Sequence, residues 1–370
     1  MVDELRLAGV VRDGPVEAAL RAVERHRFLP AVPVARAYAD EAVVTQTAPD
    51  GLPTSSASQP SIVAIMLRQL AVQPGHRVLE IGAGTGYNAA LLAHLAGHSG
   101  QVTTIDVDPV TASAAGRHLA AAGVEGVEVV TADGWLGHPA GAPYDRIEAT
   151  VGSWDVSTSW VDQLAEGGVL VVPLWLGPGV QASAAFTRNG RELHSAGVVP
   201  CGFIRLRGAG AGPETYRRVA GRLVSAERLG AEESSVLERL LATEPSSGPA
   251  PPAAPGWLVR LALAGHRAVL LVDEPGRRVA AGLFDPAAGS LVLAEGIGGR
   301  LGTWSPEAVQ CYGGDALLPP LLALLADPEP LEVEQLHVLG VRRGDLLPAA
   351  PGSGRTWLLE RPEHRFLVRG

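Results

Sequence analysis

Residues 78–87 read Val78-Leu79-Glu80-Ile81-Gly82-Ala83-Gly84-Thr85-Gly86-Tyr87: an apolar run, a glycine turn, and then the Ala/Leu-rich stretch YNAALLAHLAG. A run this short and this apolar, followed directly by a helical pattern, is how a strand buried on both faces reads. The pattern recurs outward as VTTID, PVTASAAGRHLAAAG, VEVVTAD and YDRIEATVG (144–152). WVDQLAEGG is then expected as a helix closed by Gly167 and Gly168, and VLVVPLW (169–175) as a fifth strand. Alternation of this kind predicts an α/β fold built on a doubly wound, mostly parallel sheet. Residues 182–207 are expected to be antiparallel around a turn at Asn189-Gly190. Upstream, residues 15–30 predict an amphipathic helix ending at Pro30, residues 45–60 a loop, and SIVAIMLRQL a helix.

The glycine turn is a candidate ligand cradle, since a strand, a tight turn and a helix N-terminus present backbone N–H groups without Cβ interference. Its spacing is G-x-G-x-G, and Tyr87 stands where the dinucleotide fingerprint requires its third glycine, which disfavours NAD and FAD. Asp106 ends the second strand, where a carboxylate accepts ribose hydroxyls; it also reads as a cap for the helix starting at Pro109. Asp133 with Gly134 follows the third strand, either beside an adenine or as a plain turn. Three such features at successive strand ends fit a nucleoside cofactor lacking a pyrophosphate, and S-adenosylmethionine (SAM) meets that description.

The chain has 370 residues with a net charge of −9, so the basic footprint of a nucleic-acid binder is missing. Every basic residue apart from histidine is arginine; with no lysine anywhere, lysine Schiff-base chemistry is excluded. Cys201 and Cys311 lie far apart without metal-ligand spacing, so no metal site is expected and a reducing cytoplasm is the default compartment. No apolar run reaches membrane-spanning length, and no membrane partner is expected.

Ala22-Val23-Glu24-Arg25-His26-Arg27-Phe28-Leu29-Pro30, then Ala37-Tyr38-Ala39-Asp40, and Ser58-Gln59-Pro60 before a helix together resemble the protein-L-isoaspartate O-methyltransferases over residues 10–210. The resemblance implies a Rossmann-like class I SAM-dependent methyltransferase acting on a peptide or protein that carries aspartate or isoaspartate. It implies Ser58 at the substrate carboxylate as the catalytic residue, with Ser56 and Gln59 at the substrate site; Trp154, in a segment that departs from the family, reads either as pocket lining for the substrate or as an exposed aromatic with no role. Glu80, Gly82, Gly84 and Gly86 would hold the methionine end of the cofactor, Asp106 and Val107 the ribose, and Asp133 and Gly134 the adenine. Read without the family, Ser58 is also a good N-terminal cap before Pro60. Ser56 replaces the family's usual threonine, the loop 46–53 is longer, and Thr150-Val151-Gly152-Ser153-Trp154-Asp155 replaces an Ala-Ala-Ala-Pro-like stretch, so an altered substrate pocket is expected.

Methyl transfer to a carboxylate needs no general base, because the acceptor is ionised at neutral pH; positioning and desolvation carry the rate. The methyl ester then collapses through attack by the next amide nitrogen to a succinimide, which hydrolyses to aspartate or isoaspartate. Residues 1–212 are expected to form the catalytic domain, 213–256 a helical connection and Pro-rich linker, and 257–370 an added C-terminal α+β domain. In that last region WLVRLALAG and the apolar runs after it are expected to be strands around a helix at 315–326. Repair enzymes end near residue 210, so the longer layout resembles the branch found with ribosomally made peptides such as lanthipeptides, lasso peptides and graspetides. The implied partner is then a modified precursor peptide. Ordinary isoaspartyl repair and a decayed SAM-binding interaction module are the competing readings.

Overall fold

The computed structural model describes residues 1–254, 256–265, 267–273, 278–297, 306–348 and 355–370. The expected alternation is present. Strands β3 (Arg77–Ile81), β4 (Gln101–Asp106), β5 (Val127–Thr131), β6 (Tyr144–Ala149) and β7 (Leu164–Gly177) run parallel in the order β7-β6-β3-β4-β5. The order reverses between β3 and β6, and open α/β sheets bind ligands beyond the strand C-termini at such a point. Helices Pro60–Leu70 and Tyr87–Ala96 cover one face with Leu67, Leu70, Leu91 and Leu92. The other face packs Leu79, Ile81, Ile147 and Leu170 into a core with Trp160 and Phe186.

Antiparallel β8 (Val180–Asn189) and β9 (Glu192–Cys201) follow, turning at Gly190 as expected. The expected helix 160–168 is shorter: Thr158–Gln163 is helical, and β7 begins already at Leu164. The expected helix 15–30 is Pro15–Ala22 followed by a 3-10 turn at Arg25–Phe28, and the expected loop 45–60 contains a hairpin, β1 (Val43–Thr47) with β2 (Pro53–Ala57).

Beyond residue 213 the sheets divide the chain differently from the expected 213–256 connection and 257–370 domain. Strands Thr215–Val219, Arg222–Ala226, Ser246–Pro249, Ala268–Asp273, Arg278–Asp285, Ser290–Ile297 and Ala308–Gly313 form a second, antiparallel seven-stranded sheet. The connection is therefore a hairpin plus the helix Ala231–Leu241, and the Pro-rich linker supplies an edge strand; Pro255 of that linker and Glu274 lie outside the described residues. Trp257–Leu263, expected as a strand, is a helix buried on all sides, which leaves no periodicity to read.

The chain then returns to the catalytic sheet. Strands His337–Arg342, Thr356–Glu360 and His364–Arg369 extend it beyond β9, giving ten strands, and Phe366 and Val368 enter the same core as Phe186.

Candidate active site

A cleft opens at the C-terminal ends of β3, β4 and β6. Its floor is the glycine turn, where Gly82, Gly84 and Gly86 sit at φ +104°, +52° and +86°, conformations that side chains strain. A Cβ on Gly86 would also stand 3.1 Å from the Ala115 carbonyl oxygen, so that glycine lets the helices at 87–96 and 109–121 meet. Ser56, Ser58, Glu80, Gly82, Gly84, Asp106, Val107 and Gly134 line the cleft, as the sequence implied.

The carboxylates gather at one end. Asp106 is 9% exposed and accepts hydrogen bonds from the N–H groups of Gly84 (3.2 Å) and Asp108 (3.0 Å), with the Arg207 guanidinium 3.9 Å away. Glu80 and Glu148 are fully buried and share the Asn88 side-chain amide at 2.8 and 2.7 Å, while Thr104 donates to Glu80 at 2.6 Å. Burial, more than their mutual repulsion, pushes Glu80 up to about 8 and Glu148 up to about 7. One Glu148 oxygen has no partner among the described residues. A cleft with an orphaned Glu148 oxygen, room left by Gly82 and Gly84 and an acidic residue at the ribose position suits a cationic nucleoside, so the residues present fit SAM.

The acceptor segment closes the other side. Ser58 stands just before the helix Pro60–Leu70, and among the described residues its hydroxyl has no protein partner. Two residues that sequence reasoning passed over hold this segment: the buried Arg25 donates to the Ser58 carbonyl (2.9 Å), and Asp40 accepts from Gln59 Nε2 (3.0 Å) and the Ser61 N–H (2.8 Å). Both belong to the N-terminal run that carried the resemblance; what no motif states is that these partners lie 19 to 33 residues on.

Four implied site residues stand outside the cleft lining. Gly86 serves as the packing point described above. Gln59 faces Asp40 instead. Asp133 accepts from the Trp135 and Ala209 N–H groups (3.0 and 2.7 Å), so the 203–209 segment shares the carboxylate expected at an adenine. Trp154 is 5% exposed, packed against Trp175 with its ring under the Arg361 guanidinium at 3.5 Å, because the C-terminal strands bury the loop that carries it.

Comparison with known sequences agrees with this geometry. A family model described as Protein-L-isoaspartate(D-aspartate) O-methyltransferase matches residues 1–210. The chain belongs to this family. It is a SAM-dependent enzyme for (iso)aspartyl carboxyl groups. The protein-L-isoaspartate O-methyltransferase of Methanoregula boonei is 41% identical over 209 residues, covering 56% of this chain and 91% of that protein. That of Methylorubrum populi is 38% identical over 213 residues, covering 57% and 95%. A solved structure named protein-L-isoaspartate O-methyltransferase aligns over 92% of this chain and 96% of its own, with 24% identity and a TM-score of 0.54. That alignment corrects the expectation that the residues beyond 210 have no counterpart: the extended layout is shared at the level of the fold. Among the described residues no helix is long and apolar enough to cross a membrane, and no cluster of three or more His, Cys, Asp or Glu could hold a metal.

Proposed function

We propose that this methyltransferase acts on the side-chain carboxylate of an aspartate or isoaspartate within a peptide, with Ser58 orienting the acceptor. The partnerless Ser58 hydroxyl in the cleft is the observation that carries this reading. SAM supplies an electrophilic methyl group on a sulfonium. The chain's residues do the rest: Gly82 and Gly84 leave room at the methionine end, Asp106 and Val107 bound the ribose side, and the cation's charge would favour the ionised forms of Glu80 and Glu148 beside it. Gly134 flanks the base, and Asp133, which accepts from Trp135 and Ala209, keeps acceptor capacity for an adenine amino group. No residue need take a proton, since an ionised carboxylate attacks directly; Ser58 donates to the oxygen that does not attack, and the cleft excludes water.

The narrower reading is a ribosomally synthesised precursor peptide as substrate in place of damaged protein. The Thr150–Asp155 departure from the family pattern supports it, because Thr150 and Val151 line the cleft. General repair is the alternative, and the shared fold beyond residue 210 lends it weight. Mass spectrometry of incubations with SAM tests both, using a generic isoaspartyl peptide and the Asp-containing precursor encoded beside the gene. Methyl gain or water loss on the precursor alone supports peptide maturation; methylation of the generic peptide alone returns the enzyme to repair. Methylation of neither, with intact cofactor binding, would leave the decayed binding module.

A further inference from the structure

The acceptor end of the cleft contains a buried charge with no counter-ion in contact, Asp40 being a carboxylate that acts on it from longer range. Arg25 is 0% exposed, yet it forms no ion pair among the described residues. Its Nε donates to the Ala37 carbonyl (2.8 Å) and one terminal nitrogen to the Ser58 carbonyl (2.9 Å), while the other, Nη1, is buried without a partner. Its guanidinium lies over the Tyr87 ring at 5.0 Å, and the Tyr87 hydroxyl is likewise buried and partnerless. Both residues border the cleft. A guanidinium taken from water with no counter-ion in contact costs several kcal/mol, a cost that a purely structural role would remove by using a neutral donor. The cleft thus has the carboxyl side chains of Glu80, Glu148 and Asp106 at the cofactor end and the Arg25 guanidinium beneath the acceptor segment.

We propose that Arg25 is the fixed counter-charge for the acceptor carboxylate: a positioning residue that holds Ser58 by its carbonyl and favours an anionic over a neutral acceptor through the low-dielectric floor. This rests on the reading of Ser58 as the acceptor site. It also predicts how the effect divides. Negative charge on the acceptor falls as its oxygen takes the methyl, so Arg25 stabilises the bound carboxylate at least as much as the transition state. Removing its charge should therefore raise KM for the peptide more than it lowers kcat.

The test compares two peptides, one with an isoaspartyl carboxylate and one with the matching carboxamide, binding to enzyme saturated with S-adenosylhomocysteine. The unmutated enzyme should prefer the carboxylate by about tenfold or more, in line with close buried charge pairs. Arg25→Gln should erase the preference and Arg25→Lys should restore most of it, both with unchanged S-adenosylhomocysteine affinity. A preference retained in Arg25→Gln overturns this inference alone; no preference in the unmutated enzyme overturns the acceptor-site reading with it. Should Arg25→Gln fail to fold, arginine-labelled NMR of the unmutated enzyme decides, with Arg25→Lys assigning the signal. The slowly exchanging Arg25 guanidinium resonance should move on adding the carboxylate peptide and not the carboxamide, and equal responses overturn the proposal.

Discussion

Ser58 is held by its backbone and free at its side chain, which makes its substitution informative. Ser58→Ala leaves the Arg25 bond intact, so it should cost about 10- to 100-fold in kcat/KM, the scale of one lost hydrogen bond to a charged group, with S-adenosylhomocysteine affinity unchanged. Methyl-transfer kinetics beside calorimetry check this. Glu80 and Glu148 set a pH dependence. Both bind protons more tightly folded than unfolded, up to about 8 for Glu80, so the folded state holds the extra protons and stability falls as pH rises from about 4.5 towards 8. Thermal melts of cofactor-free protein across that window should show the decline, and Glu80→Gln should flatten it. Asp106 and the glycine turn were legible because the strand, turn and helix that place them are consecutive in sequence. Asp133 and Trp154 were misplaced because their partners, Ala209 and Arg361, are remote in sequence, and no local pattern announces them.

Among the elements, the turn at residues 361–364 does the most to hold the catalytic half together. Glu363 accepts from the Trp135 indole N–H (3.1 Å) and the Thr158 N–H (2.5 Å), and its own N–H donates to Asp155 (2.7 Å). The turn thereby grips the loop after β6 and the segment following Gly134 from behind the cleft. Glu363→Ala orphans two donors, one a backbone N–H, and should destabilise by about 2–4 kcal/mol, read as a lower denaturation midpoint with an unchanged slope. Elements of the parallel sheet were legible because β3 and β4 are almost wholly buried and the helix after β4 has a clear start at Asp108-Pro109, where Asp108 accepts from the Val110 N–H. Trp257–Leu263 was not, since an apolar run buried all round carries neither a period of two nor one of 3.6.

Across the whole molecule, sequence order and spatial order part company. The second sheet lies between two lengths of chain that share one sheet, so a cut near residue 245, at the Pro-rich stretch, removes three strands of the catalytic sheet along with five of the seven in the accessory one. Truncation at residue 245 should give insoluble protein, whereas co-expressing residues 1–330 with 331–370 should recover soluble material to the extent that the last strands redock; soluble yield and the melting profile report the outcome. Phe366, fully buried beside Phe186, makes the point with one residue: Phe366→Ala should cost about 3–5 kcal/mol although it lies some 160 residues beyond the family-matched region.

The same arrangement governs how the protein is made. Strand β9 leaves the ribosome with one edge unpaired and waits for His337–Arg342, whose synthesis comes on the order of ten seconds later at ordinary translation rates. Throughout that interval the nascent catalytic half exposes a bare strand edge and the cavity that Phe366 will fill, the kind of surface that recruits chaperones or a neighbouring chain. Expression at reduced temperature, or with holdase chaperones raised, should therefore improve yield more for this enzyme than for relatives whose sheet closes within the first 210 residues.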